Sequence, residues 1–177
     1  MALVPEALRP PAAVPPFADA GEWSRVRAAT VATTRHWVWV GAVGSDGYPQ
    51  FWAVPAPGKP PTSVRVSRWI WAAHNGPIPP GLVARHRCDL TVCVAPADLL
   101  TGTQSENLRD AARRDRITHA GRVGRADRRG PAATARAVRE AVLAALARGV
   151  LDAAGLTAVV DAELAEGDPY ADQLPLF

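Results

Sequence analysis

The sequence predicts an α+β fold, in which a β-hairpin and a helix lead into a strand–strand–helix core followed by further helices. Two β-prone runs, 37–43 and 48–54, flank Gly44-Ser-Asp-Gly47, whose Asp-Gly pair favours a tight turn. Thr103-Gln-Ser-Glu106 fits the capping box that begins a helix. An alanine-rich segment over 131–148 opens with proline and is followed by glycine, as helices commonly are.

The remaining elements follow from local signals along the chain. Residues 1–17 are rich in proline and alanine, which predicts a flexible arm. We expect a short helix over 20–33, a strand over 62–66, a helix over 67–74, strands over 82–86 and 99–103, and helices over 104–116 and 151–166. The predicted organisation is an arm over 1–17, a domain over 18–116, a basic linker over 117–130, C-terminal helices over 131–166 and an acidic and hydrophobic tail over 167–177.

Composition bounds the class of protein. The chain has 177 residues, of which 48% are hydrophobic and 21% charged, as in ordinary globular domains. Two cysteines are too few for a disulfide-stapled secreted scaffold. No apolar run reaches the ~20 residues that cross a bilayer. We therefore expect a soluble, cytoplasmic protein without a membrane partner.

The charge is unevenly distributed. Of 20 basic residues, all but Lys59 are arginine, whereas residues 150–177 contain six acidic residues and no basic one. A basic body with an acidic tail favours a nucleic-acid partner. The alternative is codon bias, because a GC-rich genome raises arginine together with alanine, glycine and proline. Composition leaves the two interpretations open.

The segment from 83 to 110 carries the candidate chemistry. A predicted strand ends at His86, and a predicted helix contains Asn107 about one turn from its start. The N-terminus of a helix favours phosphate because its N–H groups are unpaired. If strand and helix face each other, an imidazole that deprotonates water lies opposite an amide oxygen that can hold a hard cation.

The motifs of this segment resemble the HNH endonuclease family, also called His-Me finger or ββα-metal nucleases, in its homing-endonuclease-like phage and bacterial branch. The resemblance covers about residues 36–116. It rests on Trp37-Val-Trp-Val-Gly-Ala42, Asp46-Gly-Tyr48, Ser67-Arg68, Gly76-Pro-Ile-Pro-Pro-Gly81, His86-Arg-Cys-Asp89, Cys93-Val-Ala-Pro-Ala-Asp-Leu99 and Gly102-Thr-Gln-Ser-Glu-Asn-Leu-Arg-Asp110.

The resemblance implies a fold, an activity and a site. It implies a ββα-metal core over 82–116 that hydrolyses phosphodiester bonds of double-stranded DNA with one divalent cation, most simply Mg²⁺. His86 would be the general base, and Asn107, helped by Asp98, would hold the cation. Arg85 occupies a position that is an acidic metal ligand in some branches, and here it would bind a phosphate oxygen.

The chain departs from the family pattern at three positions. Asp98 stands where the family usually has histidine or asparagine, Ala95 replaces an asparagine, and Ser67 replaces a histidine. Asp98 could still accept a hydrogen bond from His86 and fix its tautomer. The alternative is a catalytically degenerate HNH-fold protein that binds DNA without cleaving it.

Two further groups extend the hypothesis. Cys88 and Cys93 resemble a remnant of the zinc knuckle found in relatives, but two thiolates and Asp98 fall short of four ligands, so structural Zn²⁺ is not expected. The alternative is a pair of buried, reduced thiols.

A run of arginines could follow a DNA backbone or merely be a solvated face. Its first members are Arg109, Arg113, Arg114 and Arg116.

The last five residues resemble the peptide that binds the bacterial sliding clamp. The segment reads Gln173-Leu174-Pro-Leu176-Phe177 and follows an acidic stretch. Leu176 and Phe177 could fill an apolar groove while Gln173 bonds its edge. The alternative is a tail that docks on its own core.

Overall fold

A computed structural model describes residues 4–54, 58–113 and 127–170 of the chain. Its mixture of helices and small antiparallel sheets confirms the predicted α+β class. The elements in chain order are α1 (Ala20–Ala28), β1 (Thr30–Ala32), β2 (Trp37–Trp39), β3 (Gln50–Ala53), β4 (Thr62–Arg65), α2 (Val66–Asn75), β5 (Leu82–His86), β6 (Leu99–Thr103), α3 (Gln104–Arg113), α4 (Pro131–Ala147) and α5 (Ala153–Glu166), with short 3₁₀ turns at Glu6–Leu8 and Pro96–Asp98.

Within the described ranges, the strands form three separate antiparallel pairs. β1 pairs with β2, β3 with β4 and β5 with β6. In the last pair Leu82 lies opposite Thr103 and His86 opposite Leu99. Helix α3 packs against both β5 and β6. Two antiparallel strands followed by a helix thus occupy residues 82–113.

The predicted hairpin between 37–43 and 48–54 forms only at its turn. The backbone N–H of Gly44 donates to the carbonyl of Tyr48 at 2.9 Å, and Val43 bridges to Pro49. The N–H of Gln50 still donates to the carbonyl of Ala42 at 3.0 Å, and beyond this bond the two runs separate. Both edges of β2 are occupied, one by β1 and the other by residues 92 and 94, so residues 50–53 pair with β4 instead.

Two helix boundaries also differ from the prediction. The helix expected over 20–33 ends at Ala28, because β-branched Thr30 and Val31 join β1 and lie fully buried. Helix α2 begins at Val66, one residue before the predicted start, with Arg65 at its N-cap.

The N-terminal residues are not the flexible arm that composition predicts. Val4 and Leu8 are only 1% and 2% exposed and belong to the hydrophobic core. The guanidinium of Arg27 in α1 donates from Nε to the carbonyl of Pro10 at 2.8 Å. Apolar burial and this hydrogen bond fix a segment whose prolines prevent a regular helix.

The C-terminal helices share one core with the preceding elements. Val138 of α4 and Leu156 of α5 are fully buried in the same cluster as Val31 and Val92. The start of α4 also lies on the turn at 44–47. A side chain at Gly47 would come within 2.6 Å of the Ala132 backbone, so glycine is required by space as well as by its φ of 83°.

Part of the predicted linker is held against α5. The Arg129 guanidinium bonds the Asp127 carboxylate at 2.8 Å and the carbonyl of Glu163 at 2.7 Å. The carboxylates of Asp127 and Glu163, both bonded to the guanidinium, raise the pKa of Arg129 and tie this arginine to the protein. Residues 114–126 lie outside the described ranges. No helix in the described ranges is long and apolar enough to cross a membrane.

Candidate active site and metal cluster

His86 stands at the end of β5 and is 8% exposed. Its Nε2 lies 3.0 Å from the carbonyl oxygen of Cys93. A carbonyl can only accept, so Nε2 carries the hydrogen and the lone pair of the neutral imidazole lies on Nδ1. The ring of Tyr48 packs beside the imidazole, with centroids 6.1 Å apart. Strand, carbonyl and phenol ring together fix the orientation of this imidazole.

His86 and Asn107 line one small polar cavity. Asn107 is half-buried in the first turns of α3, and the capping box predicted for this helix is present. The N–H of Thr103 donates to Glu106 at 2.7 Å, and that of Glu106 to the Thr103 hydroxyl at 3.2 Å. The cavity is lined by Tyr48, Ala84, Arg85, His86, Asp89, Asn107, Asp110 and Ala111.

The size of this cavity suits one small species. Its volume is about 20 Å³. A water molecule needs roughly 10–15 Å³ by the same measure. The lining includes the Asn107 amide and the Asp89 and Asp110 carboxylates, whose oxygens are of the kind that hard divalent cations take.

Arg85 is turned toward the protein. Its NH1 donates to Asp110 at 2.6 Å and its NH2 to the carbonyl of Thr101 at 3.3 Å. The side chain is 14% exposed. The sequence assigned this guanidinium to a phosphate, and the structure gives it a carboxylate partner on α3.

Asp98 does not line the cavity that holds His86 and Asn107. Its carboxylate lies 3.5 Å from the Cys93 sulfur and 3.8 Å from Nδ1 of His36. The backbone carbonyl of Cys93 lies against the His86 ring. The structure therefore separates Asp98 from the two residues with which the sequence grouped it.

Asp98 belongs instead to a second group of metal-ligand type. One ligand atom from each of His36, Cys88, Cys93 and Asp98 lies within 4.8 Å of the others. The turn between β1 and β2 positions His36, because its N–H donates to the Thr33 hydroxyl at 2.9 Å. Sequence reasoning missed His36. Its only local signal is a histidine directly before a β-prone run.

The protonation properties of this cluster are unusual. The hydrogen bond from the Cys93 thiol lowers the pKa of Cys88 to about 6. The same bond, with burial, raises the pKa of Cys93. Nδ1 of His36 is buried and makes no hydrogen bond within the described residues. One thiol thus ionises easily beside a second thiol and a buried imidazole nitrogen that lacks a hydrogen-bond partner.

The remaining candidate residues are only partly described. Arg109 and Arg113 are exposed and lie four residues apart, on one face of α3. Arg114 and Arg116 lie outside the described ranges. The same is true of Gln173, Leu174, Leu176 and Phe177, so the clamp-binding peptide stays a prediction.

The match to a known protein family lies in the region that contains these candidate residues. Residues 64–109 match the model of the HNH endonuclease family. The predicted family resemblance is confirmed there. This HNH segment, residues 64–109, runs from β4 to the middle of α3 and contains His86, both cysteines, Asp98 and Asn107. No curated protein and no solved structure matches the chain. An HNH segment indicates a nuclease or DNA-binding function.

Proposed function

We propose that the protein is a metal-dependent HNH-type endonuclease that hydrolyses DNA phosphodiester bonds. The observation that carries the proposal is the pairing of His86 and Asn107 on one water-sized cavity. The cavity lies beside the first turns of α3. A candidate base and an oxygen ligand therefore stand together.

His86 is suited to take a proton from water. The carbonyl of Cys93 holds the hydrogen on Nε2, so Nδ1 is the basic nitrogen. When Nδ1 accepts the proton of a water that attacks phosphorus, the ring becomes positively charged. The same carbonyl then stabilises that charge, because a cationic donor makes a stronger hydrogen bond.

Asn107 and the Asp89 carboxylate, which line the same cavity, would hold the divalent cation. When bound, such a cation would neutralise the charge that develops on the phosphate during hydrolysis. Asp110 also lines the cavity, but its carboxylate is bonded to Arg85. Arg109 and Arg113, exposed on one face of the same helix, would contact the DNA backbone.

Nicking of supercoiled plasmid in Mg²⁺ tests the mechanism. We expect His86→Ala to lower the nicking rate by about 10²–10⁴-fold, which is the usual contribution of a general base. Asn107→Ala should raise the Mg²⁺ concentration needed for half-maximal rate. His74→Ala, which changes a histidine outside the cavity, is the matched control.

The outcomes separate the two candidate functions. Equal nicking by wild type and His86→Ala would overturn the role of His86. No nicking by wild type, with DNA binding retained, would favour the degenerate DNA-binding alternative that Ala95 and Asp98 suggest.

We further propose that His36, Cys88, Cys93 and Asp98 hold a structural Zn²⁺. The sequence had supplied only three ligands, and His36 provides the fourth. Tetrahedral zinc, with bonds of about 2.0–2.3 Å, places its ligand atoms about 3.3–3.8 Å apart. Asp98 lies 3.5 Å from the Cys93 sulfur and 3.8 Å from His36 Nδ1. The buried, unbonded nitrogen of His36 supports the same conclusion.

Metal analysis of the purified protein tests the zinc proposal. We expect one Zn²⁺ per chain, lost in His36→Ala and Cys88→Ser but kept in the control His74→Ala. Because zinc binds the folded chain, saturation at 100 times Kd stabilises by about 2.7 kcal/mol, so chelation should lower Tm. A zinc-free protein whose Tm does not respond to added Zn²⁺ would contradict the proposal.

A further inference from the structure

The Arg85 side chain crosses β6 on its way to α3. It starts on β5, passes over Gly102 and ends at the Asp110 carboxylate. A side-chain carbon at Gly102 would lie 2.6 Å from Nε of Arg85 and 2.7 Å from its central carbon. A larger residue at 102 would therefore push the guanidinium out of its present position.

This guanidinium is committed to protein partners. NH1 and NH2 bond Asp110 and the carbonyl of Thr101. Nε is buried and makes no hydrogen bond within the described residues. Burying an unpaired N–H costs free energy, so the arrangement persists because the ion pair with Asp110 compensates for it.

The pair joins the two halves of the proposed site. Arg85 directly precedes His86 on β5, and Asp110 lies one turn after Asn107 on α3. The bridge at 2.6 Å is the side-chain contact that ties strand to helix at this point. Its length and direction therefore help to set the distance between the base and the amide oxygen.

We infer that Arg85 and Asp110 are a positioning pair that sets Asn107 opposite His86, and that Arg85 does not bind DNA phosphate. The inference rests on the proposed nuclease function. Groups that orient a metal ligand from behind typically contribute 10–100-fold to metal affinity or activity. A residue on phosphate would instead contribute to DNA affinity and to its salt dependence.

A double-mutant cycle separates these two roles. The variants are Arg85→Gln, Asp110→Asn and the double variant, with Arg148→Gln as an exposed-arginine control. We expect each single variant to lower the nicking rate at saturating DNA by about 10–100-fold. The double variant should be no slower than the slower single one, because either change already removes the bridge. DNA affinity, measured by fluorescence anisotropy without Mg²⁺, should stay within about twofold of wild type.

Hydrogen exchange of α3 gives a readout that does not need cleavage. Each single variant should exchange the amides of α3 at least several-fold faster than wild type, with no further increase in the double variant. If wild type does not nick DNA, the nuclease proposal fails and this exchange pattern still decides whether the bridge holds the helix. Unchanged exchange in both single variants would overturn the inference. So would Arg85→Gln alone weakening DNA binding and lowering the salt slope by about one, since that marks a phosphate contact.

Discussion

The imidazole of His74 packs edge-on against the indole of Trp23 near the end of α2, with ring centroids 6.1 Å apart. Burial lowers the pKa of this histidine below 6.5. Its Nε2 is buried without a hydrogen bond in the described chain. The folded state therefore favours the neutral ring, whereas in the unfolded chain the ring takes up a proton near pH 6.5.

This shift makes the free energy of unfolding decrease as the pH is lowered. Stability from neutral His74 is present above pH 6.5 and decreases as the pH falls, because only the unfolded state binds the proton at first. We expect the Tm difference between pH 7.5 and pH 5.5 to be smaller in His74→Gln than in wild type. Differential scanning fluorimetry measures it. Identical differences in the two proteins would show that His74 does not titrate as described.

Single residues also show where sequence reasoning stopped. His86 and Asn107 were identifiable because each sits at a local signal, a strand end and a capped helix. His36 was not, since 52 positions of chain separate it from Cys88. Only tertiary packing brings such a residue to its partners. The same packing gave Asp98 a different set of neighbours from those expected.

At the scale of elements, the sequence predicted correctly those boundaries that depend on residues close together in the chain. Strands β5 and β6 have the predicted bounds, and α3 begins at the predicted capping box. The error at α1 has a non-local cause, because Thr30–Ala32 leaves the helix to pair with β2. The predicted hairpin around 44–47 is incomplete for the same reason, because β2 pairs with β1 and β3 pairs with β4. Short β-strands depend on what lies beside them.

The whole molecule folds around one core that includes its N-terminal residues. We expect Leu8→Ala to lower the free energy of unfolding by about 2–5 kcal/mol, as large-to-small changes in cores do. Urea denaturation of the full chain measures the loss. Val14→Ala changes a residue that is 47% exposed and should have little effect. Equal unfolding midpoints for Leu8→Ala and wild type would place the N-terminal residues outside the cooperative unit.

The shared hydrophobic core also bears on the predicted division of the chain into domains. Composition separated residues 18–116 from the helices of 131–166, since the arginine-rich stretch between them looks like a linker. Buried side chains of α4 and α5 contact the earlier strands through one cluster. Sequence cannot show this, because an amphipathic helix has the same pattern whether it covers its own domain or a neighbouring one.

Cys93 faces in two directions. Its carbonyl receives the hydrogen of His86, while its thiol points to His36, Cys88 and Asp98. One residue thus contacts both the His86 imidazole and the cluster of His36, Cys88 and Asp98. Under the proposed function, a change that displaced the loop at Cys93 would also displace the carbonyl that orients the base. Asn107, on the half-exposed start of a helix, can change without that penalty. A substitution at Asn107 in α3 would therefore remove the proposed activity with less disturbance of the fold than a substitution at Cys93.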